Sequence, residues 1–347
     1  MIVASGAKVR LRRAEPADCE RAYGWLVCSD LTPDIAGPPL YPEVPLPTFE
    51  AFCAQYPAFY FDGSRPFEGR ALIIEAGGAS VGFLAHGRVC LLHEVTQIDL
   101  WLNGRAVCGR GYGSEALRLA SEWMQGAYGI DRFVVRPSRR NVRALRAARR
   151  AGFRETDLPP AQVMRELQLA AARYSDEVLL FRALPPPPAR LIQQVGRVYV
   201  FIDSEFTSLV APRLISLGAV SSDGAAFYCE LSDWPREAAS EFVRARVLPQ
   251  LHGEGLPHPD AAERFARWLA ERSRRAAVTL VSDSGFDRWA LADLFEREDL
   301  PPGVAWIRAP VPPEELDAQA QALHLRRYHA LDDAYALMHA LLGPAGH

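Results

Sequence analysis

The stretch RVYVFIDSEFT, residues 197–207, decides the fold of the second half of this chain. Its apolar run VYVFI predicts a buried β-strand, because branched and aromatic residues are enriched in strands. Side chains alternate across a strand, so Asp203 and Glu205 point to the same face at its end. Two neighbouring carboxylates repel one another, and a divalent cation is the usual partner that relieves the repulsion. The stretch therefore predicts a metal site at the edge of a sheet.

Length and composition place the chain among ordinary globular proteins. It has 347 residues, of which 49% are hydrophobic and 23% charged, so two domains are expected. The chain has six scattered cysteines without a C-x-x-C pair, which argues against a zinc ribbon and against a disulfide framework. No apolar run reaches 18 residues and the N-terminus lacks the apolar centre of a signal peptide, which predicts a cytoplasmic protein without a membrane partner. Composition does not predict the oligomeric state.

Four consecutive prolines in ALPPPPAR mark the domain boundary, because proline lacks an amide donor and favours a stiff extended segment. We expect a first domain at residues 1–184, a linker at 185–195 and a second domain at 196–347. Hydrophobic periodicity predicts an α/β domain on each side.

In the second domain the pattern predicts a three-stranded meander followed by alternating helices and a strand. The predicted strands are VYVFID, LISLGAVSS, AAFYCEL and VTLVSD, and the predicted helices are EAASEFVRARVLPQL, DAAERFARWLAERSR, DRWALADLFERE and YHALDDAYALMHALL.

Two further aspartates fall where a metal site would use them. Asp287 lies at a strand-to-helix junction, and Asp333 lies in the last helix one turn after His329. Two magnesium or manganese ions, which lie about 3.5–4 Å apart in such sites, activate water and stabilise the leaving oxygen of a phosphodiester. A nearby histidine is the natural general base. Each residue alone has an ordinary explanation, since Asp287, or Asp283, could simply cap the helix that follows.

These residues resemble the motifs of the DEDD superfamily of 3′–5′ exonucleases, which includes oligoribonuclease and RNase T. D-x-E on the first strand is matched by Asp203 and Glu205, and an aspartate after an aromatic residue is matched by Asp287 after Phe286. Asp333 matches the final aspartate. The resemblance implies an RNase H-like mixed sheet flanked by helices, two Mg²⁺ or Mn²⁺ ions held by the four carboxylates, and a nucleic-acid partner, RNA rather than DNA.

The third motif departs from the family pattern. Tyr328, not histidine, stands five residues before Asp333, and His329 stands four before it. In a second type of this motif, a tyrosine stands four residues before the aspartate. Tyr328 would have this spacing if Asp332 were the ligand. A shift of one residue turns a helical side chain by about 100°, so either His329 or Tyr328 is the candidate base.

In the first half, CGRGYGSEAL at residues 108–117 follows the predicted strand TQIDLWL and opens a helix. Glycines let a backbone approach a ligand closely, and free amides at a helix start favour an anion such as pyrophosphate. Other predicted strands are KVRLRRA, ALIIEA, ASVGFLAHGRV, FVVRP and DEVLLFRAL. A further helix is predicted at NVRALRAARRAGF.

The glycine turn and the helix after Asn141 resemble GNAT-type N-acetyltransferases over about residues 8–183. Gly111 and Gly113 match the acetyl-CoA loop, with Cys108 at its first position, and Asn141 opens the helix of the second motif. The resemblance implies a mixed sheet with helices and acetyl-CoA as cofactor. The binding residues would be Gly109, Arg110, Gly111, Tyr112, Gly113, Ser114 and Asn141.

Two features of this half leave its chemistry open. Ala148 stands where many relatives have a tyrosine that protonates the departing thiolate, so the acid is unassigned, and Asp99 or Glu94 is the candidate base. Nine arginines lie between Arg132 and Arg154 without an acidic residue. They could hold the 3′-phosphate of CoA, bind RNA, or form a solvated face.

The sequence thus predicts a metal-dependent 3′–5′ exonuclease fused to an acetyl-CoA-dependent N-acetyltransferase. Two alternatives stay open. In one, the chain is an acetyltransferase, a toxin or a regulator, whose nuclease-like domain is an inactive nucleic-acid-binding module. In the other, the acetyltransferase-like domain is a pseudoenzyme that recruits RNA for the nuclease.

Overall fold

The computed structural model describes residues 1–36, 45–156, 176–187, 191, 194–253 and 255–343. The chain divides into two compact units, Met1–Pro185 and Pro186–His347. Among the described residues, no helix combines the length and the apolar character that crossing a membrane requires.

The described part of the first unit is built on a mixed sheet with the strand order β1-β2-β3-β4-β5-β6-β8-β7. Strands β5 and β6 are parallel, and the other neighbouring strands are antiparallel. The strands are β1 Ile2–Ser5, β2 Arg10–Arg13, β3 Arg70–Ala76, β4 Ala79–His86, β5 Val95–Leu102, β6 Arg132–Val135, β7 Arg154–Glu155 and β8 Leu180–Ala183. The predicted mixed sheet with helices is confirmed.

Six helices belong to the described part of this unit: α1 Asp18–Val27, α2 Thr32–Ala36, α3 Phe49–Gln55, α4 Phe59–Asp62, α5 Tyr112–Tyr128 and α6 Val142–Arg150. Helix α5 follows β5 through the glycine-rich turn and buries one face that includes Ala116, Ala120 and Met124. Helix α6 buries Leu145 and Ala148 and leaves its arginines exposed. The turn before α5 therefore lies beside the arginine-bearing face of α6, as its contacts with a shared cavity show.

The second unit contains a five-stranded sheet with the order β11-β10-β9-β12-β13. Its strands are β9 Arg197–Phe206, β10 Leu214–Ser221, β11 Ala226–Glu230, β12 Ala277–Ser282 and β13 Val304–Arg308. The predicted meander is confirmed, since β9, β10 and β11 pair antiparallel in sequence order. Strands β12 and β13 extend the sheet in parallel with β9. The unit is thus a second α/β domain with a mixed sheet.

The helices of this unit are α7 Glu241–Arg246, α8 His258–Ser273, α9 Gly285–Phe295, α10 Pro313–Ala322 and α11 Ala330–Leu342. The single helix predicted over residues 237–251 is wrong. The Ser240 hydroxyl accepts a hydrogen bond from the Val243 amide and starts α7 there, and the helix ends before Pro249, which lacks an amide donor. The last helix starts later than predicted, because His329 is its N-cap and Tyr328 has a φ of 65°.

Alternation along β9 assigns its side chains to two separate cores. Val200 and Ile202 pack in the core with α8 and α9, whereas Tyr199 and Phe201 pack with α10 and α11. Asp203 and Glu205 continue the second set and so face α11. Helix α11 can approach β10 closely only because residue 218 is glycine, since a Cβ there would lie 2.3 Å from the backbone of Ala330. The close crossing brings the start of α11 over the carboxylates of β9.

Candidate functional sites

Five carboxylates form two adjoining groups at the end of β9. One oxygen from each of Asp203, Glu205 and Asp333 lies within 4.8 Å of the others. A second group of the same size joins Asp203, Asp283 and Asp287. Asp203 belongs to both, so the two groups meet at its side chain. The structure therefore brings together the four predicted carboxylates and adds Asp283, which the sequence suggested only as a helix cap. We call these five residues the acid cluster.

The connection from β12 to α9 explains how Asp283 and Asp287 reach the acid cluster. Ser284, not either aspartate, caps α9, since its hydroxyl accepts a hydrogen bond from the Phe286 amide at 3.0 Å. The capping roles considered for Asp283 and Asp287 are therefore wrong, and both carboxylates are free for other contacts. Asp287 is 2% exposed, and its Oδ1 accepts a hydrogen bond of 2.6 Å from the Ser204 hydroxyl.

Burial and mutual repulsion raise the pKa values across the acid cluster. Burial is the largest cause for Asp203, whose pKa lies well above its ordinary value, and Asp287 and Asp333 are its next strongest neighbours. Burial and Asp333 raise the pKa of Glu205 to about 8. Burial raises the pKa of Asp283 to about 6. Glu205 is therefore mostly protonated near neutral pH unless a cation compensates its charge, and an all-oxygen, multiply anionic donor set fits hard divalent ions.

Two arginines act on this site: Arg308 lowers the pKa of Asp283, and Arg327 bonds to a carboxylate of the acid cluster. Arg327 donates from Nη1 to Asp333 Oδ1 and from Nε to Asp317 Oδ1, the latter at 2.7 Å. Its positive charge also lowers the pKa of Glu205 and Asp283, against the effect of burial. Arg327 was not a predicted site residue, because nothing in the string LRRYH distinguishes it from a solvated arginine.

The two candidate bases have their side chains in contacts outside the acid cluster. The His329 ring is 3% exposed, stacks on Tyr228 at 4.7 Å and lies within 3.2 Å of the Arg326 guanidinium. Burial, and then Arg326, lower its pKa. The Tyr328 ring meets Phe242 edge to face at 5.0 Å, while its backbone N–H donates to Asp333 Oδ2 at 2.8 Å.

Asp332, the alternative ligand, is not part of the acid cluster. Its Oδ2 accepts hydrogen bonds from the backbone and the side chain of Arg326, at 3.1 and 2.7 Å. The spacing that would pair Asp332 with Tyr328 therefore has no support in the geometry, and Asp333 is the aspartate of α11 that meets β9.

In the first unit, a cavity of 410 Å³ lies between the glycine-rich turn and α6. Gly109 and Gly111 have φ values of 77° and 85°, in the left-handed region that favours glycine. Helix α5 begins without a side-chain cap, so its first amides are free to bind an anion. The predicted residues on this wall are Gly109, Gly111, Tyr112, Gly113 and Ser114. Arg110 lies in the turn, and its carbonyl accepts a hydrogen bond from Lys8 Nζ at 3.2 Å.

Arg143, Arg146 and Arg150 of α6 line the opposite wall of the cavity. Arg143 pairs at 2.6 Å with Asp34, which also lines the cavity. Asn141 also lines it, but its amide is engaged. Its Oδ1 caps α6 by accepting from the Ala144 amide, and its Nδ2 donates to the Asp34 carbonyl. Asn141 thereby fixes the start of α6 against α2.

A second cavity of 150 Å³ adjoins the first and shares Asn141 and Ala147 with it. Its wall carries a chain of paired polar groups. Asp99 accepts hydrogen bonds from the Tyr56 hydroxyl at 3.0 Å and from Gln97 Nε2 at 3.1 Å. Arg136 donates to Gln97 Oε1 and, at 2.6 and 3.1 Å, to the two carboxylate oxygens of Glu177. The side chains of Arg136 and Glu177 are each 4% exposed.

Comparison with known proteins bears on the first unit. The model of the acetyltransferase (GNAT) domain matches residues 8–154. These residues form a GNAT domain. No curated protein matches the chain.

Three solved structures illustrate the similarity of the GNAT domain to known proteins. The aminoglycoside acetyltransferase AAC(6′)-Ib in complex with coenzyme A is 19% identical, with a TM-score of 0.38 over 50% of this chain and 94% of that one. RimL, a ribosomal L7/L12 alpha-N-protein acetyltransferase, is 17% identical in its apo form, with a TM-score of 0.41 over 53% and 94%. Spermidine N-acetyltransferase from Vibrio cholerae, in complex with CoA and spermine, is 12% identical, with a TM-score of 0.38 over 51% and 96%.

The geometry of the GNAT domain separates its two candidate bases. Asp99 lines the second cavity, whereas Glu94 ends a short helical turn before β5 with a φ of 51° and lines neither cavity. Cys108 lines the first cavity, and burial raises the pKa of its thiol, so it stays protonated. The sequence missed Arg136 and Glu177, because their partnership spans 41 residues and leaves no local pattern.

Proposed function

We propose that the second unit is a metal-dependent 3′–5′ exonuclease acting on RNA, and that the GNAT domain transfers an acetyl group from acetyl-CoA to an amine. The observation that carries the nuclease proposal is the pair of carboxylate groups that meet at Asp203. The matched family model and the cavity beneath the glycine-rich turn carry the acetyltransferase proposal.

In the nuclease, Asp203, Glu205 and Asp333 would hold one divalent ion, and Asp203, Asp283 and Asp287 the other. Such ions activate the attacking water and stabilise the leaving oxygen of a phosphodiester. The chain positions its ligands through neighbours, since the Ser204 hydroxyl orients Asp287 and the Tyr328 amide orients Asp333. The mixed sheet flanked by helices and the order of the carboxylates along the chain support the DEDD-type, RNase H-like assignment.

The proton acceptor of this nuclease is His329 or Tyr328, and either must leave its present contacts to reach the water. His329 would give up its stacking on Tyr228, whereas Tyr328 would give up its edge-to-face contact with Phe242. Burial and Arg326 lower the pKa of His329 and keep it neutral, which is the form that accepts a proton.

An aromatic pair beside the acid cluster supports a nucleic-acid substrate. Phe206 follows Glu205 directly, Phe286 precedes Asp287 directly, and their rings stack at 4.8 Å with an angle of 12° between their planes. Aromatic faces bind unpaired bases without sequence preference. Leu209 and Val210, in the loop that follows β9, are more than half exposed. The choice of RNA over DNA rests on the family resemblance.

In the GNAT domain, the turn amides and the arginines of α6 would bind the phosphates of acetyl-CoA. The amine acceptor would enter the second cavity, where Asp99 is placed to take its proton. The two cavities adjoin at Asn141 and Ala147, so the thioester and the amine would meet there.

The test of the nuclease is degradation of RNA and DNA oligonucleotides, labelled at either end, with Mn²⁺ or Mg²⁺. Wild type should shorten RNA stepwise from the 3′ end, and Asp203→Asn should lower the rate by about 1,000-fold or more, because it removes charge from both ion sites. Glu263→Gln is the matched control, since it changes an exposed carboxylate of α8 and should cleave like wild type. Full activity of Asp203→Asn, or no cleavage with either metal, would end the proposal and favour an inactive nucleic-acid-binding module.

The test of the acetyltransferase is titration calorimetry of the full chain with acetyl-CoA, followed by transfer assays with peptide and polyamine acceptors. Binding together with transfer that is lost in Asp99→Asn supports the proposal. Absence of binding would instead favour a pseudoenzyme that recruits RNA through its arginines.

A further inference from the structure

The segment between α10 and α11 places a cation on the acid cluster. The Arg327 side chain is 25% exposed and that of Asp333 7% exposed, so their ion pair is largely shielded from water. The five carboxylates and Arg327 have a formal net charge of −4 when all are ionised. Two divalent ions would bring four positive charges to the five carboxylates, whereas Arg327 brings one.

The backbone of this segment holds Arg327 in place. Gln250 Nε2 donates to the carbonyl oxygens of Arg327 and Tyr328, at 2.7 and 3.2 Å. His324 and Tyr328 have φ values of 55° and 65°, in the left-handed region that non-glycine residues rarely adopt. The chain thus accepts two unfavourable backbone conformations along the segment that lays Arg327 against Asp333.

Both oxygens of Asp333 already have partners within the chain. Oδ1 accepts from Arg327, and Oδ2 accepts from the Tyr328 amide. A divalent ion bound to Asp333 would interact with the same carboxylate as Arg327, and its positive charge would repel the guanidinium.

We propose that Arg327 is an internal counter-cation of the acid cluster, and that the divalent ion held by Asp203, Glu205 and Asp333 competes with it for Asp333. This inference rests on the metal site proposed above. By linkage, binding of this ion weakens the Arg327–Asp333 pair by the factor by which the pair weakens binding of the ion. Occupancy of the site is thereby coupled to the segment that carries both candidate bases.

The test is titration calorimetry of the full chain with Mn²⁺, without substrate. Arg327→Gln should bind Mn²⁺ about tenfold more tightly than wild type, within the usual range of such couplings, and Arg327→Lys should restore the wild-type affinity. Arg326→Gln is the matched control, because that guanidinium pairs with Asp332 outside the acid cluster, and it should leave the affinity unchanged. In EDTA, Arg327→Gln should melt at a lower temperature than wild type, and saturating Mn²⁺ should remove the difference.

A measurement on the wild type covers the case in which the variant does not fold. The backbone amides of residues 324–329 should exchange hydrogen faster with saturating Mn²⁺ than in EDTA, because the ions release Arg327. Slower or equal exchange would overturn the inference, as would an unchanged or weaker Mn²⁺ affinity of Arg327→Gln. If Asp203→Asn abolishes binding while Arg327→Gln leaves it unchanged, only this inference fails. If wild type binds no Mn²⁺, both this inference and the proposed metal site are wrong.

Discussion

The two candidate sites of this molecule treat buried charge in opposite ways. In the GNAT domain, Arg136 and Glu177 are 4% exposed and satisfy one another through two hydrogen bonds. In the second unit, five carboxylates form two groups that meet at Asp203, and Arg327 donates a hydrogen bond to one of them, Asp333. The first arrangement is complete without a ligand. The second has an excess of negative charge that the protein alone does not compensate, which is the electrostatic character of a site built to bind cations.

The difference predicts which substitutions stabilise and which destabilise. Removing one charge from a paired set leaves its partner buried and alone, whereas removing one charge from a repelling set relieves the others. The same chemical change, an acid replaced by its amide, should therefore have opposite effects in the two units.

The largest effect is expected for Glu177→Gln in the GNAT domain. The substitution removes the carboxylate that pairs with the buried Arg136 guanidinium through two hydrogen bonds, and it should cost about 3–5 kcal/mol of unfolding free energy. Urea denaturation measures it, and Glu263→Gln is the control, because that pair is exposed and should contribute at most about 1 kcal/mol. A loss for Glu177→Gln as small as that of the control would contradict the view that this network is preorganised.

Asp287→Asn should have the opposite sign. An asparagine at this position still accepts the Ser204 hydroxyl hydrogen bond, but it cannot carry the negative charge that burial and Asp283 disfavour in the folded chain. In EDTA at pH 8 we expect an increase in unfolding free energy of about 1–3 kcal/mol, the range for relieving an uncompensated buried group. Saturating Mn²⁺ should reverse the order, so that wild type becomes the more stable protein. A loss of stability in EDTA would mean that the carboxylates do not repel one another in the folded chain.

Gly111→Ala tests the ligand-binding turn of the GNAT domain. Gly111 has a φ of 85°, in the left-handed region that an alanine rarely adopts, so the substitution would strain the turn. A Cβ there would also lie 2.9 Å from Nζ of the flexible Lys8 side chain, which would have to move. Affinity for acetyl-CoA, measured by calorimetry, should fall about tenfold, which corresponds to strain of 1–2 kcal/mol. Gly126→Ala is the control, since that glycine lies within α5 with open space around it and should leave the affinity unchanged. Equal effects of the two substitutions would argue that the turn does not bind the cofactor.

The last prediction concerns the pH dependence of stability without metal. The pKa of Glu205 is about 8 when folded against 4.5 for an ordinary glutamate, so the folded chain holds more protons than the unfolded chain between these values. Stability in EDTA should therefore fall as the pH rises from about 5 to 8, by about 2–4 °C in melting temperature for each kcal/mol lost. Glu205→Gln should have the flatter profile. A parallel profile in the two proteins would show that Glu205 is ionised throughout.

Local sequence patterns were sufficient to predict a helix or strand where one face of that element is buried. The meander and the helices α5, α6 and α8 were predicted from periodicity, because their apolar residues recur at the spacing of one buried face. Strand β13 and helix α10 were not predicted. In residues 301–313, PPGVAWIRAPVPP, prolines stand on both sides of a short apolar run, so the intrinsic propensities of these residues favour a loop. The run forms a strand because it pairs with β12.

Spacing alone placed four carboxylates of the candidate site on the right elements, and their roles as ligands stay a prediction. It missed Asp283 and Arg327, because their contribution depends on how β12 and the start of α11 meet β9 in space. It also placed His329 inside a helix. Because Tyr328 has a left-handed φ, His329 is the N-cap of the helix instead, and its ring stacks on Tyr228. Helical periodicity does not predict such a change in the backbone.

The arrangement of the acid cluster depends on Gly218, a residue without a charged side chain. Helix α11 rests on the backbone of β10 at this one crossing, so the hydrogen atom of glycine acts as the spacer that sets how far Asp333 stands from Asp203 and Glu205. Any larger side chain at position 218 would push α11 away from β10 and would move Asp333 away from Asp203 and Glu205. Every carboxylate would still be present in the sequence. A chain can therefore retain all five acids of this site and still lose the arrangement that they form.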